Sequence, residues 1–223
     1  MDLERAWLLL DTSAPEACVG VLVGGQVRAE VRLAETRRHA EALPDAIARA
    51  VEDAGTSLTD IGGVAVGRGP GSFVGVRVGI ATAKGICLAR RIPLVGVSSL
   101  VALAGRDGVP DGEGLCVLDA RRGELYVQRV RRTQGALTPV DEPRALPPDD
   151  AAAEVAGAGF VVGNGLELLG DARPAGPVVP AAGPSALGLE WALKARLVEG
   201  GGDELFSLVP AYCRPPDAKL PSR

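Results

Sequence analysis

Two aspartates stand where predicted buried strands end, and they are the residues best placed for phosphate chemistry. Asp11 closes the apolar run at residues 6–11 and is followed by Thr12 and Ser13, and Asp119 closes a similar run about half a chain later. Facing one cleft, such carboxylates could orient a hydrated magnesium ion beside a nucleotide phosphate. Each aspartate could equally accept hydrogen bonds from amides of its own turn. Both interpretations stay open, so Asp11 and Asp119 are only weak cofactor-binding candidates, and no second phosphate loop is recognisable.

A glycine-rich segment, GPGS at residues 69–72, joins a predicted strand at residues 61–66 to a helix predicted from residue 72 or 73 to residue 89. Unpaired amides at the start of a helix attract anions. The segment is not a Walker loop, because no Gly-Lys-Ser/Thr follows it. Glycines are also ordinary in a strand-to-helix turn, so the indication of an anion site is weak.

The helix after this segment carries a stripe without large side chains. Gly75, Gly79 and Ala83 recur every fourth residue, so another backbone could approach the helix closely along that line. Such a stripe usually packs inside its own protein, yet it also suits a contact between helices of two proteins. We predict that this helix binds a partner and that a large residue at Gly79 weakens the complex without unfolding the chain. The predicted contact residues are Phe73, Gly75, Val76, Gly79, Ile80 and Ala83.

Histidine and cysteine usage argues against metal and hydrolytic chemistry. His39 is the single histidine of the chain, and the four cysteines are far apart with no Cys-x-x-Cys pair. No ordinary zinc or iron site can be assembled from one imidazole, and a nucleophile triad would depend on His39 near the start of a helix. We therefore predict no catalytic residues, no metal ligands and no cofactor, with the cysteines reduced and mostly buried.

Hydrophobic periodicity predicts a two-lobed α/β fold with a mixed sheet in each lobe. Strands at residues 6–11, 17–23 and 26–33 form a meander, and a helix follows over residues 38–54. The pattern of a strand, a terminal aspartate and a returning strand repeats from residue 115, which indicates a duplication. We place the first lobe at residues 1–104, the second at 105–209 and an extended tail at 210–223. Residues 138–150 are predicted to form a loop, and residues 186–198 the last long helix.

Charge and apolar content limit the classes of partner. The net charge is −4, which argues against a free-standing nucleic-acid binder because such proteins need a clustered basic face. Arg121 and Arg122, with three arginines at residues 129–132, are local exceptions that we assign to a solvated face, although a partner could complete a shared RNA surface. No run is long enough to span a bilayer and no signal-peptide pattern is present, so we predict a cytoplasmic protein without membrane contact.

Five segments resemble the TsaB (YeaZ) family in their order and spacing along the whole chain. They are residues 9–13 (LLDTS), 69–79 (GPGSFVGVRVG), 98–100 (SSL), 119–126 (DARRGELY) and 210–214 (PAYCR). The second and fourth segments together form a specific signature. The family usually has threonine after the phenylalanine, where this chain has Val74.

This resemblance implies an actin, hexokinase and Hsp70 type of fold, the ASKHA fold, whose cleft has lost productive nucleotide chemistry. It further implies a scaffold for the catalytic relative TsaD, bound through helices of the first lobe, with the ATPase TsaE joining the complex. The complex transfers threonylcarbamoyl to the adenosine beside the anticodon of tRNAs that read codons starting with A, so tRNA is an indirect partner. A homodimer in the absence of TsaD is a further expectation. The alternatives are a self-sufficient ATPase or phosphotransferase that uses Asp11 and Asp119, and, more weakly, a peptidase.

Overall fold

The computed structural model describes residues 3–34, 39–200, 202 and 205–214 of the chain. Its first sheet has the strand order β3-β2-β1-β4-β5. Strands β1, β2 and β3 form an antiparallel meander, and β1, β4 and β5 run parallel. The strands are β1 (Ala6–Asp11), β2 (Ala17–Val23), β3 (Gln26–Leu33), β4 (Ile61–Gly67) and β5 (Leu94–Val97).

The second sheet repeats this plan with an antiparallel pair beside parallel strands. Its order is β11-β10-β6-β7-β8, and β9 pairs with β7. The strands β6, β10 and β11 are parallel, whereas β7 is antiparallel to β6, β8 and β9. The strands are β6 (Gly112–Asp119), β7 (Leu125–Thr133), β8 (Ala136–Pro139), β9 (Arg144–Leu146), β10 (Val161–Gly163) and β11 (Val178–Pro180).

Helices cover both faces of each sheet; in the first sheet the central strands β1 and β4 are buried along their whole length. Helices α1 and α2 pack on the outer face of the first sheet, and α4 packs on the outer face of the second. Helices α3 and α5 lie between the two sheets. The helices are α1 (His39–Asp53), α2 (Phe73–Arg90), α3 (Ser99–Leu103), α4 (Pro148–Ala156) and α5 (Ala186–Val198), with a 3₁₀ turn at Leu166–Leu169.

A shared core joins the two halves of the chain. One hydrophobic cluster contains Trp7 and Leu9 of β1, Leu118 of β6, and Leu189 and Leu193 of α5. Strands up to residue 97 belong to one sheet and strands from residue 112 belong to the other, but α5 also contacts the first sheet. The lobe boundary at residues 105–114 therefore stays a prediction, since the core is continuous across it.

The predicted α/β architecture with two mixed sheets is confirmed, and the main local error lies in the proline-rich region. Residues 138–150 are not one loop: they include β9 and the start of α4. Pro148 occupies the first turn of α4, where a missing amide hydrogen costs nothing, so the proline begins this helix instead of breaking it. No helix in the described ranges is long and apolar enough to cross a membrane.

The last described residues, 205–214, contain neither helix nor strand and are called the C-terminal strap below. Leu208 of the strap is buried in the same cluster as helices α1 and α2. The amide of Ala211 donates to the carbonyl oxygen of Arg68 at 2.7 Å. The predicted extended tail thus begins as a segment packed against residues of both halves of the chain, and its residues 215–223 lie outside the described part of the chain.

Candidate functional site

The carboxylate of Asp11 is sealed inside the protein and engaged on both oxygens. Its Oδ1 accepts from the amide of Ser13 at 2.8 Å and from the Ser13 hydroxyl at 2.6 Å, and its Oδ2 accepts from the hydroxyl of Ser99 at 2.6 Å. The Ser99 oxygen in turn accepts from the amide of Gly69. Asp11 is 0% exposed, so it links β1, α3 and the glycine-rich segment and does not face solvent.

Burial raises the pKa of Asp11, and the hydrogen bonds from Ser13 and Ser99 oppose this rise without cancelling it. A carboxylate in this position has no room for a hydrated metal, because Gly67 closes over it: a Cβ at Gly67 would overlap Asp11 Oδ2. The hydrogen bonds favour the interpretation in which Asp11 satisfies its own turn.

Asp119 also serves its own turn, although it is less buried. Its Oδ1 accepts from the amide of Arg121 at 2.7 Å, and its Oδ2 lies 3.4 Å from the guanidinium of the same arginine. The amide of Asp119 donates to the side-chain oxygen of Asn164 at 2.9 Å. Asp11 and Asp119 therefore end equivalent strands, as predicted, and each accepts hydrogen bonds from the turn that follows it; Asp11 accepts a further one from Ser99 of α3.

Two amides at the start of α2 are already used within the chain. The amide of Ser72 donates to the carbonyl oxygen of Ser13 at 2.6 Å, and the amide of Gly75 donates to the Ser72 hydroxyl at 3.2 Å. The hydroxyl of Ser72 is the N-cap of the helix. Residues 69–72 therefore act as the strand-to-helix turn.

The bare stripe of α2 faces inward, which corrects the prediction that its small residues contact a partner. A Cβ at Gly75 would overlap the carbonyl oxygen of Thr12, and one at Gly79 would lie 2.5 Å from the Thr12 hydroxyl oxygen. These two glycines let the loop after β1 pack directly on the helix. A large residue at Gly79 would thus disturb the fold, contrary to our expectation.

The other predicted contact residues of α2 divide between the core and the surface. Val76, Ile80 and Ala83 are at most 5% exposed and belong to the cluster that packs α2 on the first sheet. Phe73 is 50% exposed. Of the predicted partner-binding set, only Phe73 therefore presents a large side chain to solvent.

Helix α2 does present an apolar surface, but on a different face of the helix from the predicted stripe of small residues. Val74 and Leu88 are 69% and 59% exposed. Between them, Ala81 and Gly85 are exposed and Val78 is half-buried, and no atom lies within 4 Å of a Cβ built at Gly85. These five residues, 74, 78, 81, 85 and 88, are spaced by four and three in alternation, which is the spacing of a helix–helix seam. We call them the α2 ridge; the signal was present in the sequence beside the barer stripe.

Several known proteins are similar to this chain. A family model described as TsaD, tRNA N6-adenosine threonylcarbamoyltransferase, matches residues 26–156. The chain is 36% identical over 141 residues to the tRNA threonylcarbamoyladenosine biosynthesis protein TsaB of Escherichia coli K12, covering 62% of this chain and 61% of that protein. It is 35% identical over 218 residues to the uncharacterized protein Rv3421c of Mycobacterium tuberculosis H37Rv, covering 95% and 93%.

The structure of YeaZ from Pseudomonas aeruginosa superposes with a TM-score of 0.82 at 28% identity, over 93% of this chain and 99% of that chain. The likeness extends over both sheets, so the chain has the fold of YeaZ, and the predicted α/β architecture with two mixed sheets is confirmed. The alignment with Escherichia coli TsaB, in contrast, spans less than two thirds of that protein's length.

Proposed function

The chain belongs to the TsaB (YeaZ) family of tRNA threonylcarbamoyladenosine biosynthesis, and we propose that it is a non-catalytic partner of a TsaD-like transferase. It holds that transferase in its active form, and a TsaE-like ATPase joins the complex. The transferase moves threonylcarbamoyl from its adenylate to the adenosine beside the anticodon of tRNAs that read codons beginning with A. The complex works in the cytoplasm.

The α2 ridge is the observation that carries this proposal. Its ends are large and apolar, its centre at Ala81 and Gly85 is small, and it lies on one helix 18 residues long. A helix of a partner can approach such a centre closely while the ends supply buried apolar area. Contiguous exposed apolar surfaces are uncommon on monomeric proteins, and they often mark a site of protein contact.

The engaged aspartates support a non-catalytic role. Asp11 has no exposed oxygen, and Asp119 is bound by its own turn. The same surface that binds the transferase would pair two copies of this chain when the transferase is absent, so a homodimer and the complex compete.

Light scattering on mixtures of the purified chain with the TsaD-like protein of the same organism tests the proposal. We expect a stable complex for the natural chain and loss of that complex for Gly85→Arg, because the arginine projects from the centre of the ridge without touching the chain's own atoms. Ala153→Arg, on an exposed position of α4, is the matched control and should bind normally. Absence of binding by the natural chain, with and without nucleotide, or normal binding by Gly85→Arg, would refute it.

A further inference from the structure

Aromatic side chains are scarce in this protein, yet Phe73, Tyr126 and Tyr212 each lie beside an arginine. The chain has two tyrosines, three phenylalanines and two tryptophans. The Arg77 guanidinium carbon lies 3.6 Å from the ring centroid of Phe73 and 5.8 Å from that of Tyr212, and the two rings are 5.8 Å apart. The guanidinium of Arg214 lies 5.4 Å from the ring of Tyr126. Both tyrosines of the protein therefore stack on arginines.

The C-terminal strap joins these two stacks into one row. Tyr212 and Arg214 are two residues apart, so their Cα atoms lie within about 7 Å of one another. Arg77 Nε donates to the Tyr212 hydroxyl at 2.9 Å at one end. At the other end, Arg214 lies 3.0 Å from a carboxylate oxygen of Glu124 and also donates to the carbonyl oxygen of Ala120. The row thus runs from the start of α2 to the turn between β6 and β7.

That turn adds two exposed arginines to the row. Arg121, Arg122 and Gly123 have φ values of 63°, 57° and 74°, so three successive residues are left-handed. This conformation is unfavourable for a residue with a Cβ, as both arginines are. The turn lies between Ala120 and Glu124, both of which contact Arg214, and both arginine side chains are exposed. The guanidinium groups at the turn consequently extend the row outward.

We infer that this arginine–aromatic row, residues 73, 77, 126, 212 and 214 with the turn at 121–122, contacts single-stranded RNA. Given the proposed function, on which this step rests, the RNA is the loop of the tRNA that the transferase modifies. Planar guanidinium and aromatic groups stack on unpaired bases, and guanidinium groups bind phosphates in pairs of hydrogen bonds.

Carboxylates near the row limit how much charge contributes to this contact. Asp119 pairs with Arg121, Glu124 pairs with Arg214, and Glu142 is close enough to influence Cys213 beside the row. The arginines at residues 77, 121, 122 and 214 are thus offset by these three carboxylates. Stacking therefore supplies more of the affinity for RNA than charge does. The row is a weak site by itself and contributes to tRNA binding within the complex, which agrees with a chain whose net charge is −4.

Fluorescence anisotropy of labelled tRNA, titrated with the assembled complex at several salt concentrations that are the same for every variant, tests the inference. Tyr212→Leu should weaken tRNA binding about tenfold, the typical loss when one stacked base loses its aromatic partner. Arg122→Gly removes a guanidinium from a left-handed position that glycine adopts freely, so it spares the backbone. It should make the log–log salt slope shallower by about 0.7. Arg28→Met, on the exposed side of β3, is the control and should change neither value.

Light scattering on the same variants separates RNA from protein as the occupant of the row. Unchanged affinity for the transferase together with weakened tRNA binding supports the inference. Weakened transferase binding by Tyr212→Leu would show that the row is a protein contact and would overturn it, as would unchanged tRNA binding by both variants. If the natural chain forms no complex, the proposed function fails, and the isolated chain with a synthetic anticodon stem-loop then decides the inference. If the isolated chain binds this RNA and Tyr212→Leu weakens the binding, the inference stands. If the isolated chain does not bind this RNA, the inference is rejected.

Discussion

The hydroxyl of Thr12 donates a hydrogen bond of 2.6 Å to the carbonyl oxygen of Gly75, 63 positions further along the chain. This contact fixes the first turn of α2 on the loop after β1. Because the two glycines of the buried stripe allow that approach, they determine which face of the helix remains outside. The α2 ridge is exposed as a consequence of how Thr12 packs.

Gly79 of α2 is tightly packed and Gly85 of the same helix faces open space, so substitutions at these two glycines should have opposite effects on stability. Gly79→Leu forces a side chain against Thr12 and should lower the free energy of unfolding by about 2 kcal/mol or more. Gly85→Leu meets no atoms of the chain and should raise it by up to about 0.8 kcal/mol through helix propensity. Urea unfolding monitored by circular dichroism measures both. Equal effects of the two substitutions would contradict the inward orientation of Gly79.

The buried carboxyl of Asp11 should make stability depend on pH in a specific direction. Burial raises its pKa above that of the unfolded chain, so the folded state binds the proton more tightly. The free energy of unfolding of the natural protein should therefore increase, relative to Asp11→Asn, as the pH falls from neutral through the raised pKa. Below the pKa of the unfolded chain the difference should become constant. Urea unfolding of both proteins at several pH values measures it.

Taking the difference between the two proteins removes the contribution of all other carboxyl groups, which titrate in both. A difference that does not vary with pH, or one that shrinks as the pH falls, would show that Asp11 is not held in a desolvated site.

Much of the first sheet could be predicted from the sequence because its signals are local. Continuous apolar runs at residues 6–11 and 17–23 give buried strands, and Gly24 and Gly25, both with positive φ, give the tight turn into β3. The last helix, from Ala186 to Val198, was equally clear because Ser185 caps it.

The rest of the site depended on contacts distant in sequence. A stripe of small residues has the same pattern whether its partner is another protein or the chain's own loop, and only the position of Thr12 decides between them. In the same way, nothing local indicates that Tyr212 returns to Arg77, 135 positions earlier. The start of α4 is not apparent from the sequence because its prolines resemble those of a loop.

Of the four cysteines, only Cys213 should react with thiol reagents in the folded protein, and its reaction should be slow. Cys213 is half-buried, whereas Cys18, Cys87 and Cys116 are buried. Burial, with a smaller contribution from Glu142 and against the opposing effect of Arg214, raises the pKa of Cys213 to about 11. Since the thiolate is the reactive form, the labelling rate should rise about tenfold per pH unit between pH 8 and 10. Spectrophotometric labelling measures the rate, and Cys213→Ser should lose this phase. Rapid reaction of a second thiol before unfolding would contradict the described core.

Reconstituted threonylcarbamoyl transfer to tRNA tests the central claim most directly. The assay combines the chain with its TsaD-like and TsaE-like partners, ATP and threonylcarbamoyl adenylate, and each protein is omitted in turn. We predict no modified tRNA and no nucleotide turnover by the chain alone, transfer by the complete set, and loss of transfer with Gly85→Arg but not with Ala153→Arg. Modification of tRNA or sustained nucleotide hydrolysis by the isolated chain would contradict the account, as would full transfer in its absence.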